Sequence, residues 1–257
     1  MGRSVKHLDR IDAEFTRQAP TFVASATLNA ADVTERIAAA LSGGPSRRVL
    51  DIACGPGILT ASLAGRFDAS VGLDFTAETL RLASARAPDG VNAGFVRGLA
   101  ETLPFPDECF DAAVLRLALH HFEDPGAVLR EARRMLGSDG RLVVLDILTS
   151  ADVAEARLHD AIERLRDPSH AGFTTESGLR SQIVDAGFAI ETRESWEQDR
   201  SFADWGSIVN APERMAALEV LLRHLARAGE SAGIALREAE DGVWFTYRWA
   251  LFVSRTA

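Results

Sequence analysis

An apolar run, Val49-Leu50-Asp51-Ile52, breaks into Ala53-Cys54-Gly55-Pro56-Gly57. Strand-type residues that stop at Gly-Pro-Gly read as a buried parallel strand turning sharply into a helix. Gly55 and Gly57 allow the turn and leave no Cβ between main chain and ligand. A helix opening near Ile58 aims free N–H groups into the same space. Such a turn suits a cofactor. A dinucleotide fingerprint would need a third glycine, but the pattern is Gly55-Pro56-Gly57-Ile58-Leu59-Thr60. Asp51, ahead of the glycines, repels a pyrophosphate and welcomes an ammonium group. The next apolar run, residues 69–74, ends in Asp74, placed to accept from ribose hydroxyls. An acid before the turn and another one strand later fit an amino acid joined to a nucleoside, which describes S-adenosylmethionine.

Further motifs follow in order. Gly98-Leu99-Ala100-Glu101-Thr102-Leu103-Pro104-Phe105 precedes Phe110-Asp111-Ala112-Ala113-Val114. Leu119-His120-His121-Phe122 and Glu131-Ala132-Arg133-Arg134-Met135-Leu136 then lead to Gly140-Arg141-Leu142-Val143-Val144-Leu145-Asp146. With the glycine turn, these resemble the class I S-adenosylmethionine-dependent methyltransferases, in the ubiquinone/menaquinone-biosynthesis-like group (methyltransferase domain 11 type). The resemblance covers roughly residues 45–150. It implies a cofactor site of Asp51, Ala53, Gly55, Gly57, Asp74, Phe75, Leu99, Ala100, Glu101, Arg116 and Leu117, joined by Phe15, Gln18 and Phe22 from the N-terminal segment. One position departs from the group. The residue before Ala100 is usually an aspartate that accepts from the adenine amino group, and here it is Leu99. Losing such a hydrogen bond costs about 1–3 kcal/mol.

Methyl transfer is an in-line displacement with a neutral leaving group, so proximity and alignment supply most of the acceleration. A base is needed only where the acceptor must lose a proton. Candidates for that work are His121, His170 and Arg116. Adjacent His120 and His121 lack the i, i+4 spacing of a metal pair, and no metal site is expected. His120 reads as structural and His121 as a pocket residue. Arg116 ends a strand, where it either grips an anionic substrate atom or pairs with Asp146 or Asp167. His170, in Arg166-Asp167-Pro168-Ser169-His170, either accepts a proton or fixes its loop. Asp51 alternatively caps amides of its turn, and Phe75 packs on adenine or joins the core. Trp205, Trp244, Tyr247 and Trp249 read as packing residues, any of which could face a flat substrate.

These residues must be positioned by a doubly wound sheet. Strands are expected near 48–53, 69–74, 91–97, 110–115, 141–147, 188–197 and 243–254. Helices are expected near 30–42, 57–66, 76–87, 125–136 and 174–186. The implied fold is α/β: a Rossmann-like seven-stranded sheet, last strand antiparallel, with helical lid and cap segments. Residues 1–257 read as a single domain whose binding core is 45–150. Extra segments at 7–25, 149–173 and 200–240 lie at the carboxyl ends of the strands and would roof a substrate.

Composition narrows the partners. A net charge of −9 opposes nucleic acid as substrate, since phosphate binding needs a positive surface. No apolar run reaches the ~18 residues of a membrane span. Two cysteines without metal spacing, and a polar start, suit a reducing cytoplasm. The expected partner is a small molecule, for a monomer or homodimer. The competing functions are a non-methylating protein that binds the same cofactor and a nicotinamide-dependent oxidoreductase.

Overall fold

The computed structural model describes residues 5–25, 30–42, 44, 47–88 and 90–257. The central strands are β1 (Arg48–Ile52), β2 (Ala69–Asp74), β3 (Ala93–Arg97), β4 (Phe110–Arg116) and β5 (Leu136–Leu148). These five are mutually parallel, and β6 (Phe188–Ser201) and β8 (Gly242–Thr256) complete the seven expected runs. The sheet order is β3-β2-β1-β4-β5-β8-β6, so the last strand inserts between β5 and β6 instead of bounding the sheet. It is antiparallel to both neighbours. An eighth strand, β7 (Arg237–Ala239), pairs with β8 as a hairpin arm inside the 200–240 segment. The count rises from seven to eight because three residues carry too little alternation to read as a strand.

Both sheet faces are covered, which is why β1 is buried along four consecutive positions. Neighbouring residues serve opposite cores. Val49, Ala112, Val114, Val143 and Leu145 face one side, and Leu50, Ala113, Leu115, Leu142 and Val144 face the other. The first core is covered by α2 (Ala31–Ala40), α3 (Ile58–Leu63), α6 (Val153–Arg166), α8 (Phe202–Ser207) and α9 (Pro212–Arg227). The second is covered by α5 (Pro125–Met135) and α7 (Glu176–Asp185), while α4 (Ala77–Arg86) packs beside β2 and β3. Helix starts follow their chemistry. Asp124 accepts from Ala127 N–H with Pro125 next to it, Asp152 accepts from two amides at the start of α6, and Thr175 opens α7.

The long helix α1 (Val5–Ala24) brings His7, Ile11, Phe15, Gln18 and Phe22 to one side at spacings of three and four. His7, Ile11 and Gln18 are buried there. His7 Nε2 bonds the carbonyl of His121 at 2.9 Å, and Gln18 Nε2 donates to Asp167 Oδ2 at 2.9 Å. Thus α1 is tied to the carboxyl end of β4 and to the end of α6.

Candidate active site

At the end of β1 the chain reverses through Ala53 (φ 59°), Gly55 (φ 54°) and Gly57 (φ 73°). Gly57 has no alternative: a Cβ there would lie 2.6 Å from the Phe95 ring. At Gly55 an added Cβ would stand in open space, so the bare backbone forms a cradle. Gly55 N–H donates to Asp74 Oδ2 at 2.8 Å, and Thr76 N–H donates to Asp74 Oδ1 at 2.9 Å. Asp74 therefore staples the turn to β2 as well as facing the cavity beside it. Burial raises its pKa against these hydrogen bonds.

Asp51 is buried and accepts from the Thr60 hydroxyl at 2.6 Å. Burial pushes it up to about 6, with Thr60 and Arg116 opposing. Burial also lowers the pKa of Arg116, and Asp51 supplies the opposing charge. Arg116 is thus electrostatically coupled to Asp51. Asp146 is occupied by His120 and Leu119 N–H, and Asp167 by Gln18 and Ser169.

Two cavities of about 80 Å³ each flank the turn. Ile11, Phe15, Ala53, Gly55, Asp74, Phe75, Leu99, Ala100 and Leu117 line the first, which is largely apolar. Phe15, Phe22, Asp51, Gly55, Arg116 and Leu117 are among the residues lining the second. Leu99 thus supplies an apolar wall where an acid was the family expectation. Glu101 lines neither. Leu117 has φ 53°, a strained value for leucine, and its N–H donates to Leu145 O at 2.7 Å.

A third cavity, of about 100 Å³, adjoins both. It shares Phe15 and Leu117 with each neighbour, His121 with the first and Phe22 with the second. All three extra segments reach it: Phe15, Gln18 and Phe22 from α1, Glu163 and Arg166 from α6 with Asp167 just past its end, and Trp205 from α8 with Ile208 just past its end. Tyr247 and Trp249 on β8 complete an aromatic wall. Trp244 is elsewhere, with Nε1 donating to Asp241. The charges within are paired. Tyr247 donates to Glu163, which also takes Arg166 at 3.2 Å, and Arg166 stacks over Trp205 at 4.8 Å.

The histidines divide in a way the sequence reading did not expect. His121, chosen there as the pocket base, is held through Nδ1 by Ser169. Burial and the neighbouring His120 push its pKa down to about 3, so it stays neutral and is a weak base. His170, the second choice, lies 2.9 Å from Asp160 and lines a different cleft of about 670 Å³. His120, assigned to structure, has its Nδ1 2.6 Å from Asp146 Oδ1. Burial lowers the His120 pKa, but Asp146 outweighs it and the net direction is upward. Asp146 is itself held below its usual range, because His120 and the Ile147 N–H overcome burial. An ionised carboxylate only accepts, so Nδ1 carries the proton in either charge state, and in the neutral ring Nε2 presents a lone pair. His120 lines both the aromatic cavity and the large cleft. The signal available in the sequence was Asp146 itself, an acid at the carboxyl end of the strand beside β4.

Among the described residues no group of three or more His, Cys, Asp or Glu could hold a metal, and no helix is long and apolar enough to cross a membrane. Residues 50–144 match the family described as "Methyltransferase domain". The chain is 34% identical over 160 residues to the uncharacterized methyltransferase YcgJ of Bacillus subtilis, covering 62% of this chain and 63% of that protein. A crystal structure of the YcgJ protein superposes with a TM-score of 0.80 at 26% identity, over 88% of this chain and 98% of that one. The uncharacterized protein YafE of Escherichia coli is 30% identical, over 61% of this chain and 76% of its own length. A demethylmenaquinone methyltransferase of Thermotoga maritima is 39% identical over 103 residues, 39% of this chain and 44% of that enzyme.

Proposed function

The chain belongs to the class I S-adenosylmethionine-dependent methyltransferases, in the ubiquinone/menaquinone-biosynthesis-like group, and from that premise we propose that it methylates O, N or C of a small organic molecule. The observation that carries this reading is the sharing of Phe15, Leu117 and His121 between the turn cavities and the aromatic chamber. A group held at the turn would border an acceptor in the chamber, as proximity catalysis requires.

The turn suits S-adenosylmethionine. Gly55 leaves open space, Asp51 offers a carboxylate for an ammonium group, and Phe75, Leu99 and Ala100 form an apolar slot for adenine. Ala53, Asp74, Arg116 and Leu117 line the same cavities, and Gly57 makes the turn behind them. Bound there, the cofactor supplies an electrophilic methyl group. The cavities are small beside the ~300 Å³ at which ligand pockets usually begin, so α1 must shift to admit it. The N-terminal segment is therefore a lid, and segments 149–173 and 200–240 are the cap.

The chain's own work is to hold, dry and deprotonate the acceptor. Phe22, Phe173, Trp205, Tyr247 and Trp249 exclude water and present flat walls. Where the acceptor is a hydroxyl or amine, His120 Nε2 takes its proton while Asp146 fixes the ring and stabilises the imidazolium. The large cleft on the other side of His120 gives that proton a path to water. His121 positions the acceptor by accepting a hydrogen bond, and His170 braces the loop through Asp160.

Two measurements test the reading together. S-adenosylhomocysteine should raise the melting temperature, since binding to the native state alone stabilises it. Label from methyl-labelled S-adenosylmethionine should pass to members of a panel of small phenols, amines and acids. Stabilisation without label transfer to panel or cell extract would favour the non-methylating reading. A flat thermal titration at millimolar cofactor with stabilisation by NAD(H) would favour the oxidoreductase.

A further inference from the structure

The wall of the aromatic chamber carries three buried donors that no acceptor among the described residues meets. Arg200 Nε, Trp205 Nε1 and Trp249 Nε1 are buried without a hydrogen-bond partner among the described residues. Their residues are only 5%, 2% and 1% exposed, and all three line the one chamber. The carboxylates there are already engaged. Asp167 receives Gln18 and Ser169, and Glu163 receives Tyr247 and Arg166. Buried N–H groups in folded proteins are almost always satisfied, so three orphans lining one cavity call for a partner that brings lone pairs, water in the free protein and a ligand when one is bound.

The size and charge of the chamber narrow that ligand. Its volume of about 100 Å³, below the ~150 Å³ that accommodates benzene, limits the ligand to a single ring and requires the walls to give slightly to admit it. The flat faces of Phe173, Trp205, Tyr247 and Trp249 favour an aromatic ring over a saturated one. Arg200 keeps one Nη2 bond to Asp204 at 2.7 Å, and its Nε remains for a second carboxylate. Arg166 also lines the chamber, so two guanidinium groups surround a space with a single adjoining glutamate and aspartate, both already bonded.

We propose that the chamber takes a single-ring aromatic carboxylate, its ring against the tryptophans and its carboxylate satisfying Arg200 Nε and the two indole N–H groups. The proposal rests on the chamber being the acceptor site, and it adds the class of molecule that site selects. A neutral ring with one oxygen would leave donors unpaired, and unpaired buried donors are the strongest source of discrimination between close analogues. The carboxylate is a recognition handle here; the methylated atom is a separate substituent of the ring.

Calorimetry with the full chain saturated with S-adenosylhomocysteine tests this, using benzoate, benzamide and cyclohexanecarboxylate as probes. Benzoate should bind at least tenfold more tightly than either of the others. Arg200→Gln should weaken benzoate at least tenfold while leaving the affinity for S-adenosylhomocysteine unchanged. Trp249→Phe keeps an aromatic face but removes the N–H together with part of the indole; it serves if Arg200→Gln does not fold, and should weaken benzoate several-fold relative to benzamide. Equal affinity for benzoate and benzamide, or benzoate binding unchanged in a folded variant, overturns the proposal. Failure of S-adenosylhomocysteine to bind would instead count against the cofactor reading, and benzoate titrated alone then decides this one.

Discussion

Asp51 and His120 carry opposite lessons about burial and charge. Asp51 is pushed up to about 6 by desolvation, so its charge is lost within an accessible pH range. A cofactor ammonium favours the ionised form, and binding below that pKa must release a proton. Affinity for S-adenosylmethionine should therefore rise with pH and level off above about 6, and Asp51→Asn should bind weakly with no such slope. A slope that persists in Asp51→Asn would place the titrating group elsewhere. His120 is shifted upward, with Asp146, Glu163 and Asp167 favouring its cation against burial. As a base it must be neutral, so kcat for a hydroxyl or amine acceptor should climb as pH rises through its elevated pKa. Asp146→Asn should move that midpoint down, because the stabilising anion is gone, and should lower the plateau. His120→Gln should reduce kcat about 10²-fold or more with little change in cofactor affinity. A full-rate His120→Gln enzyme would mean that alignment alone suffices. Gly57→Ala belongs at this scale too. The Cβ would meet Phe95 at 2.6 Å in a left-handed conformation, costing ~1–3 kcal/mol of stability by denaturant unfolding.

Among the elements, α1 holds the site together from outside the sheet. Phe15 lines all three cavities and sits edge-on to His121 at 4.9 Å. Truncation of residues 1–25 should weaken S-adenosylhomocysteine binding and abolish turnover while the far-ultraviolet signal of the sheet persists; unchanged affinity would leave the roof to α6 and α8 alone. The helix was legible because Phe15, Ala19 and Phe22 recur at helical spacing. The parallel core was legible for a related reason: Val49 to Ile52 is apolar but for Asp51, Leu142 to Leu145 is an unbroken apolar run, and Asp124-Pro125 and Gly187 mark helix ends. The insertion of β8 between β5 and β6 was not, since strand order depends on pairings far apart in sequence and not on local pattern. The bonding of Asp74 to Gly55 could be guessed only in part, as a terminal strand acid serves a turn and a ligand equally well. The different surroundings of His120 and His121 were hidden altogether. Two adjacent histidines look alike in sequence, and which one meets Asp146 depends on the tight turn at Leu119–His121 and on the strand beside it.

At the scale of the whole molecule, the sheet and the roof differ in what they cost to open. Strands β1, β4 and β5 are buried on both faces, whereas α1 meets the rest through one stripe and a few polar ties such as Gln18 to Asp167 and His7 to His121. Opening α1 exposes little of either core, so it belongs to the low end of local stability. On the proposed reading it opens, because the two cavities of about 80 Å³ that Phe15 lines are small beside the cofactor. The bound cofactor then fills the space, restores the contacts of Phe15 and Phe22, and shields the methyl group from water. Hydrogen exchange should accordingly be fast in the free protein across α1 and slow in β1, β4 and β5. Adding S-adenosylhomocysteine should protect α1 first, with α6 and α8 following only when an acceptor-site ligand such as benzoate is also present. Simultaneous protection of all three helices by S-adenosylhomocysteine alone would make the roof a single body instead of a lid over a cap. No change in α1 on binding would show that the cofactor enters by another route, from the large cleft that borders His120.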